Sequence, residues 1–405
     1  MWKNSGLRNS IAAVCLLLSL GASSLPAQSS EHGHTLLLTP QHLRRLERDR
    51  ERQTVRWLNF ERRVETVPDS PERGFELALY YAVTHDPARG REAVAWAAAH
   101  SCEQRQVALI MDWTGELVSK EQRQRILHSS SCGGASSDGP LSRARNALFM
   151  SVADGGEAGA SYGNEWKQLR PDMEASVLSQ PSELYALCEF LMTMRMVNRV
   201  DLRQENATFF RLLPEEFLLG LKPGQVEHPD WMAHTAALAL VAVDPNLDTS
   251  QFLQGWAMEE NQTITQGPGV AYEFLWADPY LPGIAYRNME PWVYDPAGRL
   301  FARTGWEADA CWVAMAPGRV DQANCPDLKE VTFGNLRLAK MTLPCILLPA
   351  RGNHDEMILW NLKAGQSVIF RGDERDTSMQ ADTAGMWEVP SNANGKVCAA
   401  REGKR

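Results

Sequence analysis

The sequence predicts an α+β chain in two parts: a long run of helical hairpins and then, after residue 290, an antiparallel sheet. Three observations predict it. From Thr39 to about Gly255 apolar residues recur at spacings of three and four, as in Leu77 and Tyr81 or Leu184, Leu187 and Leu191. Compact breaking turns such as His85-Asp86-Pro87 separate the periodic stretches. Beyond residue 290 the pattern changes to short runs bounded by Gly, Pro and Asn, the signature of strands.

Taken in order, the first 27 residues read as an address. Lys3 and Arg8 precede the apolar run Ile11–Leu20, and small or polar residues lead to Ala27. That is a secretory signal peptide, too short in its apolar core to span a membrane. The expected location is secreted or periplasmic. The helical part, residues 39–289, begins with an Arg-rich stretch, Pro40–Arg63, whose mixed charges mark a solvated helix face. Helices are predicted at Glu72–Thr84, Ala88–His100, Gln104–Trp113, Ser119–His128, Leu141–Val152, Pro181–Asn198, Glu205–Leu219, Asp230–Val243 and Thr249–Met258. Two long Gly/Ser-rich links, Ser129–Pro140 and Ala153–Pro171, interrupt them. Helical hairpins in series must bury each face on the next pair, which an open α-solenoid or a closed α/α toroid satisfies. No fixed repeat period is visible, which disfavours the solenoid. About six or seven strands are predicted over residues 290–391, and 392–405 reads as a polar, frayed tail.

Composition excludes several classes. The 405 residues are 44% hydrophobic and 22% charged, an ordinary globular balance. The formal charge of −9 becomes −11 once Lys3 and Arg8 leave, so general attraction to nucleic acid or anionic membrane is not expected. No phosphate-cradling Gly loop and no Gly-x-Ser-x-Gly elbow occurs. No metal and no cofactor is predicted, although Asp355 and Glu356 beside His354 form a weak ligand-type cluster. Seven Cys remain after the signal and leave one thiol unpaired in any case. Scattered buried thiols and one or two disulfides both stay open, with Cys311 and Cys325 the first pair to test. Thirteen Trp is high for this length, and their flat faces suit carbohydrate stacking as well as core filling.

Two stretches carry a resemblance. Asp112-Trp113 closes an apolar helix just before Leu117-Val118-Ser119-Lys120-Glu121-Gln122-Arg123. Further on, Pro279-Tyr280-Leu281-Pro282-Gly283 leads to Arg303-Thr304-Gly305-Trp306, an acidic turn and Ala310-Cys311-Trp312. Together these resemble the heparinase II/III-like polysaccharide lyases, over most of residues 72–128 and 270–316. The resemblance implies an incomplete α/α toroid followed by an antiparallel β-sandwich domain. It also implies β-elimination on uronic-acid-containing glycans: a base removes the C5 proton and an acid protonates the leaving oxygen, roles shared by Tyr and His.

Carried over residue by residue, the resemblance nominates Tyr162 in the run Gly155–Gly163, with Glu157 beside it. It also nominates His234 as the nearest substitute for the toroid's Asn-His pair, and His354 before the strand at Met357. Trp231, Trp276, Trp292 and Tyr272 are candidate sugar contacts, and Arg287 and Arg303, with Arg299, a local counter to uronate charge. The expected partner is a polysaccharide or oligosaccharide. Three readings stay open: a secreted lyase, a glycan-binding relative that does not cleave, and a toroid glycoside hydrolase using Glu157 and Glu273.

Overall fold

The computed structural model describes residues 36–129, 138–155, 160–295, 297–325, 327–347, 356–371, 376–390 and 395–400. The signal-like segment therefore lies outside the described residues. The fold is mixed α+β, with thirteen α-helices among the described residues followed by β-sheets. The helices are α1 (Pro40–Glu51), α2 (Val55–Thr66), α3 (Arg73–Thr84), α4 (Pro87–Ala99), α5 (Gln104–Trp113), α6 (Lys120–Ser129) and α7 (Pro140–Ala153). They continue as α8 (Ala160–Ser176), α9 (Pro181–Val197), α10 (Ala207–Gly220), α11 (Trp231–Val243), α12 (Asp248–Ala257) and α13 (Gly269–Trp276).

Local chemistry sets the boundaries. Thr39 accepts from His42 N with Pro40 in the first turn, and Asp86 accepts from Ala88 N with Pro87 behind it. Both are N-caps with a pre-set φ after them. His85, at φ 56°, ends α3 in the left-handed region. The Arg-rich stretch is not one helix: Gln53 turns to φ 51° and Thr54 caps a new helix by accepting from Trp57 N. Asp230 caps α11 by accepting from Met232 N and Ala233 N.

Alternate helices pack on one another. α3 packs on α5, α5 on α7, α7 on α9, α9 on α11 and α11 on α13. α13 then packs on α2, and α2 touches α3. Two helices depart from the sequence reading. The expected linker Ala153–Pro171 is largely α8, which runs through Pro171, and α13 was not anticipated. Gly163 and Pro171 argue against a helix locally, yet Trp166 is fully buried between Phe190 and Phe210, so packing overrides propensity.

Among the described residues twelve strands follow, where six or seven were expected. They are β1 (Trp292–Asp295), β2 (Arg299–Arg303), β3 (Trp312–Ala316), β4 (Arg319–Ala323), β5 (Glu330–Phe333) and β6 (Leu336–Lys340). Then come β7 (Cys345–Leu347), β8 (Glu356–Trp360), β9 (Ser367–Arg371), β10 (Asp376–Gln380), β11 (Trp387–Val389) and β12 (Lys396–Ala399). The stretch Glu330–Ala339 is a hairpin, with Gly334 at φ 59° in its turn, where one strand was expected. Three four-stranded sheets result, ordered β1-β2-β3-β4, β11-β8-β6-β5 and β10-β9-β12-β7. All described pairings are antiparallel except β6 with β8. The chain leaves for β7 in another sheet before returning as β8, so that pair is joined by a crossover rather than a hairpin.

The β11-β8-β6-β5 sheet is buried on both faces. Leu338 and Ile358 join Leu300, Val313 and Met315 in one core, while Ala339, Met357 and Leu359 join Val368 and Val397 in another. This explains the unbroken apolar run of β8. Cys311–Cys325 and Cys345–Cys398 are disulfides, and Cys102 is also disulfide-bonded. Cys188 is the free, buried thiol, and burial pushes its pKa up. The expected polar tail contributes β12, fixed between β9 and β7. The large helical core extends into the sheets through Val293, Phe301 and Trp306.

Candidate functional site

The packed helices bring charged and aromatic side chains together, from Trp231 at the start of α11 to Glu189 midway along α9 and Trp276 at the end of α13. Arg105, in the first turn of α5, is the centre. Its Nε and Nη2 donate to Glu189 at 2.9 and 2.7 Å, Nη2 also to Tyr185 Oη at 3.0 Å, and Nη1 to Tyr272 Oη at 3.0 Å. Glu72, just before α3, lies 3.4 Å from Nη1. Arg145 of α7 donates to the second oxygen of Glu189 at 2.7 Å. Tyr185 Oη donates to Glu189 at 2.6 Å and accepts from Trp276 Nε1 at 3.2 Å. Phe75 faces the guanidinium at 5.0 Å.

Burial would raise the Glu189 carboxyl, but Arg105 and Arg145 hold it below the ordinary range. Burial likewise opposes the Arg105 charge, and Glu189 outweighs it, raising that pKa. The phenols of Tyr185 and Tyr272 are pushed well up, first by burial. Both are therefore protonated donors at neutral pH and not bases. Trp231 opens α11, stacks on Tyr272 with centroids 5.9 Å apart, and is half-buried. With the partly exposed Glu72 it forms the solvent side of this hub.

One turn along, His234 and Glu273 meet between α11 and α13. His234 Nε2 lies 3.1 Å from Glu273 Oε2, and Arg56 Nε donates to Glu273 Oε1 at 2.7 Å. Burial raises the Glu273 carboxyl, but His234 and Arg56 bring it below its ordinary value. His234 is 1% exposed and its Nδ1 has no partner among the described residues. A carboxylate-oriented imidazole is the arrangement of a general base, but burial gives this one the place of a core residue. Glu273, held ionised, has no proton to donate as a hydrolase acid.

The structure thus gathers Trp231, Tyr272, Trp276 and His234 on the α11–α13 pair. It does not bring Tyr162 there. That residue sits on α8, not in a Gly-rich loop, and its hydroxyl donates to Ala147 O at 3.0 Å. Burial raises its pKa above the ordinary value. Glu157 and His354, like Asp355, lie outside the described residues. Trp292 is on β1 and donates to Asn335 Oδ1 at 2.8 Å, within the sheets.

The three arginines of the helix–sheet joint do not form one cluster. Arg287 pairs with Glu259 at 2.6 Å. Arg299 Nη2 lies 3.1 Å from Glu216 and 2.5 Å from Asp295. Arg303 is fully buried over Trp306 at 4.2 Å, with both terminal nitrogens unpartnered among the described residues, and burial brings its pKa down to about 10. Of the three Trp expected as sugar contacts, Trp276 is a core residue, as is Trp256, whose Nε1 donates to Val226 O at 2.9 Å. Trp231 and Trp292 keep exposed surface.

Sequence reasoning missed Arg105, Arg145, Tyr185 and Glu189. The signal was a charge set into an apolar helix run, Glu189 between Leu187 and Leu191, since a buried carboxylate requires a partner. The residues behind the resemblance have a mechanical task. Asp112 Oδ2 accepts from Leu36 N at 2.6 Å, and Trp113 Nε1 donates to Leu36 O at 2.8 Å. Together they clasp the buried segment Leu36–Leu38, and burial pushes the Asp112 carboxyl up to about 7. Among known proteins, no protein-family model and no curated protein matches the chain.

Proposed function

We propose that this is a secreted, lyase-like protein directed at uronic-acid-containing glycans, with β-elimination as its reaction. The observation that carries the reading is the convergence of α3, α5, α7, α9, α11 and α13 on the Arg105 hub, capped by Trp231 stacked on Tyr272. Helix N-terminal ends carry partial positive charge, which suits a uronate carboxylate even though the hub's own charges balance. The helix contacts return from α13 through α2 to α3, which supports the incomplete α/α toroid implied by the resemblance. Disulfides support an oxidising compartment, in keeping with the signal-like start.

One observation favours a second reading, glycan binding without cleavage. The Tyr162 hydroxyl is committed to Ala147 O, and its raised pKa disqualifies it as a base at neutral pH. Incubation with a panel of uronate polysaccharides separates the two. The lyase reading expects absorbance from an unsaturated product, reduced about tenfold in Trp231→Ala. Binding with no unsaturated product establishes the second reading, and neither binding nor product overturns both.

A further inference from the structure

Away from the hub, α10, α11 and α12 enclose a cleft of about 280 Å³. This is just below the roughly 300–1,000 Å³ of sites for drug-sized ligands, so its occupant is small. Phe210, Pro214, Leu240 and Leu247 give it apolar walls. Asp201, Arg203, Arg211 and Asp244 are its charged lining residues. Arg203 is already neutralised there, 2.6 Å from Asp244 and 2.7 Å from Asp201. Arg211 is exposed and makes no side-chain hydrogen bond or ion pair among the described residues; the carboxyl its charge reaches is Glu215, one turn on, which burial pushes up to about 7.

Two further features meet at the same end. Thr249 Oγ1 donates to Arg211 O at 2.8 Å, which fixes the Arg211 turn of α10 against the first turn of α12. α12 has no side-chain cap, so its leading amides have no partner within the helix. Ser250, in that turn, lines the cleft; its hydroxyl is fully buried and has no hydrogen-bond partner among the described residues. An orphaned buried hydroxyl costs free energy unless something completes it. A helix N-terminus, a waiting hydroxyl and an unpaired guanidinium all favour an anion, while the walls favour hydrocarbon.

We propose that this cleft binds a small monocarboxylate with an apolar aryl or short alkyl body. The carboxylate lies between Arg211 and the Ser250 turn, and the body rests against Phe210, Pro214 and Leu240. Asp248, exposed in that first turn, opposes extra negative charge, so a monoanion is preferred over phosphate. The proposal is independent of the glycan reading, since no hub residue lines the cleft.

The test is calorimetric titration of the full chain with benzoate and with hexanoate, and with inorganic phosphate as competitor. Saturable binding near about 1 mM is expected for at least one carboxylate, a weak affinity in keeping with so small a body. Arg211→Ala should weaken it about tenfold or more, the worth of a charged hydrogen bond, and Ser250→Ala about threefold. Phosphate should not compete. Arg211 is exposed, so its variant tests binding without disturbing the core. No saturable binding of either carboxylate, equal binding by both variants, or full competition by phosphate would overturn the proposal.

Discussion

The helical hub and the helix–sheet joint solve the same problem, a buried arginine, in opposite ways. At the hub, Arg105 and Arg145 share Glu189, and two phenols and Glu72 complete the network. At the joint, one Arg299 serves two buried carboxylates, Glu216 and Asp295, and its Nε has no partner among the described residues. On the same strand, Arg303 is left with two nitrogens unpartnered among the described residues. A balanced network rigidifies the elements it joins; an unbalanced one makes their contact depend on protons. The difference teaches that the helical part is the fixed frame and the joint its titratable edge.

Breaking the hub should have the largest effect. Glu189→Ala leaves two guanidiniums buried without their carboxylate and should cost about 3–5 kcal/mol in denaturant unfolding. A loss under about 1 kcal/mol would remove the hub from the frame. The sheets rely instead on covalent staples, so Cys345→Ser with Cys398→Ser should cost about 2–4 kcal/mol. Hydrogen exchange should report that loss in β7, β9 and β12 and spare α5 and α9.

The joint should respond to pH. Burial raises Glu216 to about 7, with Arg299 opposing, so the folded state holds a proton that the unfolded chain releases near 4.5. Its contribution is complete below about 4.5 and lost as pH rises through 7, about 3 kcal/mol for a shift of this size. Glu215 and Asp112, also raised to about 7 by burial, act in the same direction. Glu216→Gln should flatten the stability–pH curve between pH 5 and 8 and leave the variant firmer than the native chain at pH 8. An unchanged slope would show that Glu216 ionises without cost to the joint.

Much of the fold was legible because its signals are local. The α5 span Gln104–Trp113 and the breaking turn at His85-Asp86-Pro87 follow from periodicity and capping. The α8 helix was not, since Gly163 and Pro171 read as a linker and only the burial of Trp166 holds it. The three-sheet arrangement was hidden because β7 and β12 pair across a separation of 53 residues, with four strands between them in the chain. At the site, single residues were visible and their partners were not. Trp231 and Tyr272 stood out as aromatics, but Arg105 and Glu189 lie 84 positions apart, and no local pattern links them. The Trp excess divided accordingly: Trp57, Trp166 and Trp256 are core, and Trp231 alone presents a half-buried face over the hub.

The smallest expected effect is also the most direct test of glycan recognition at the hub. Binding of an oligouronate to the native chain and to Trp231→Ala should be compared by calorimetry at low salt. Losing the stacking face should weaken binding about tenfold, close to 1.4 kcal/mol, with the melting temperature almost unchanged. Equal affinity for the two proteins, or no binding by the native chain, would contradict the account.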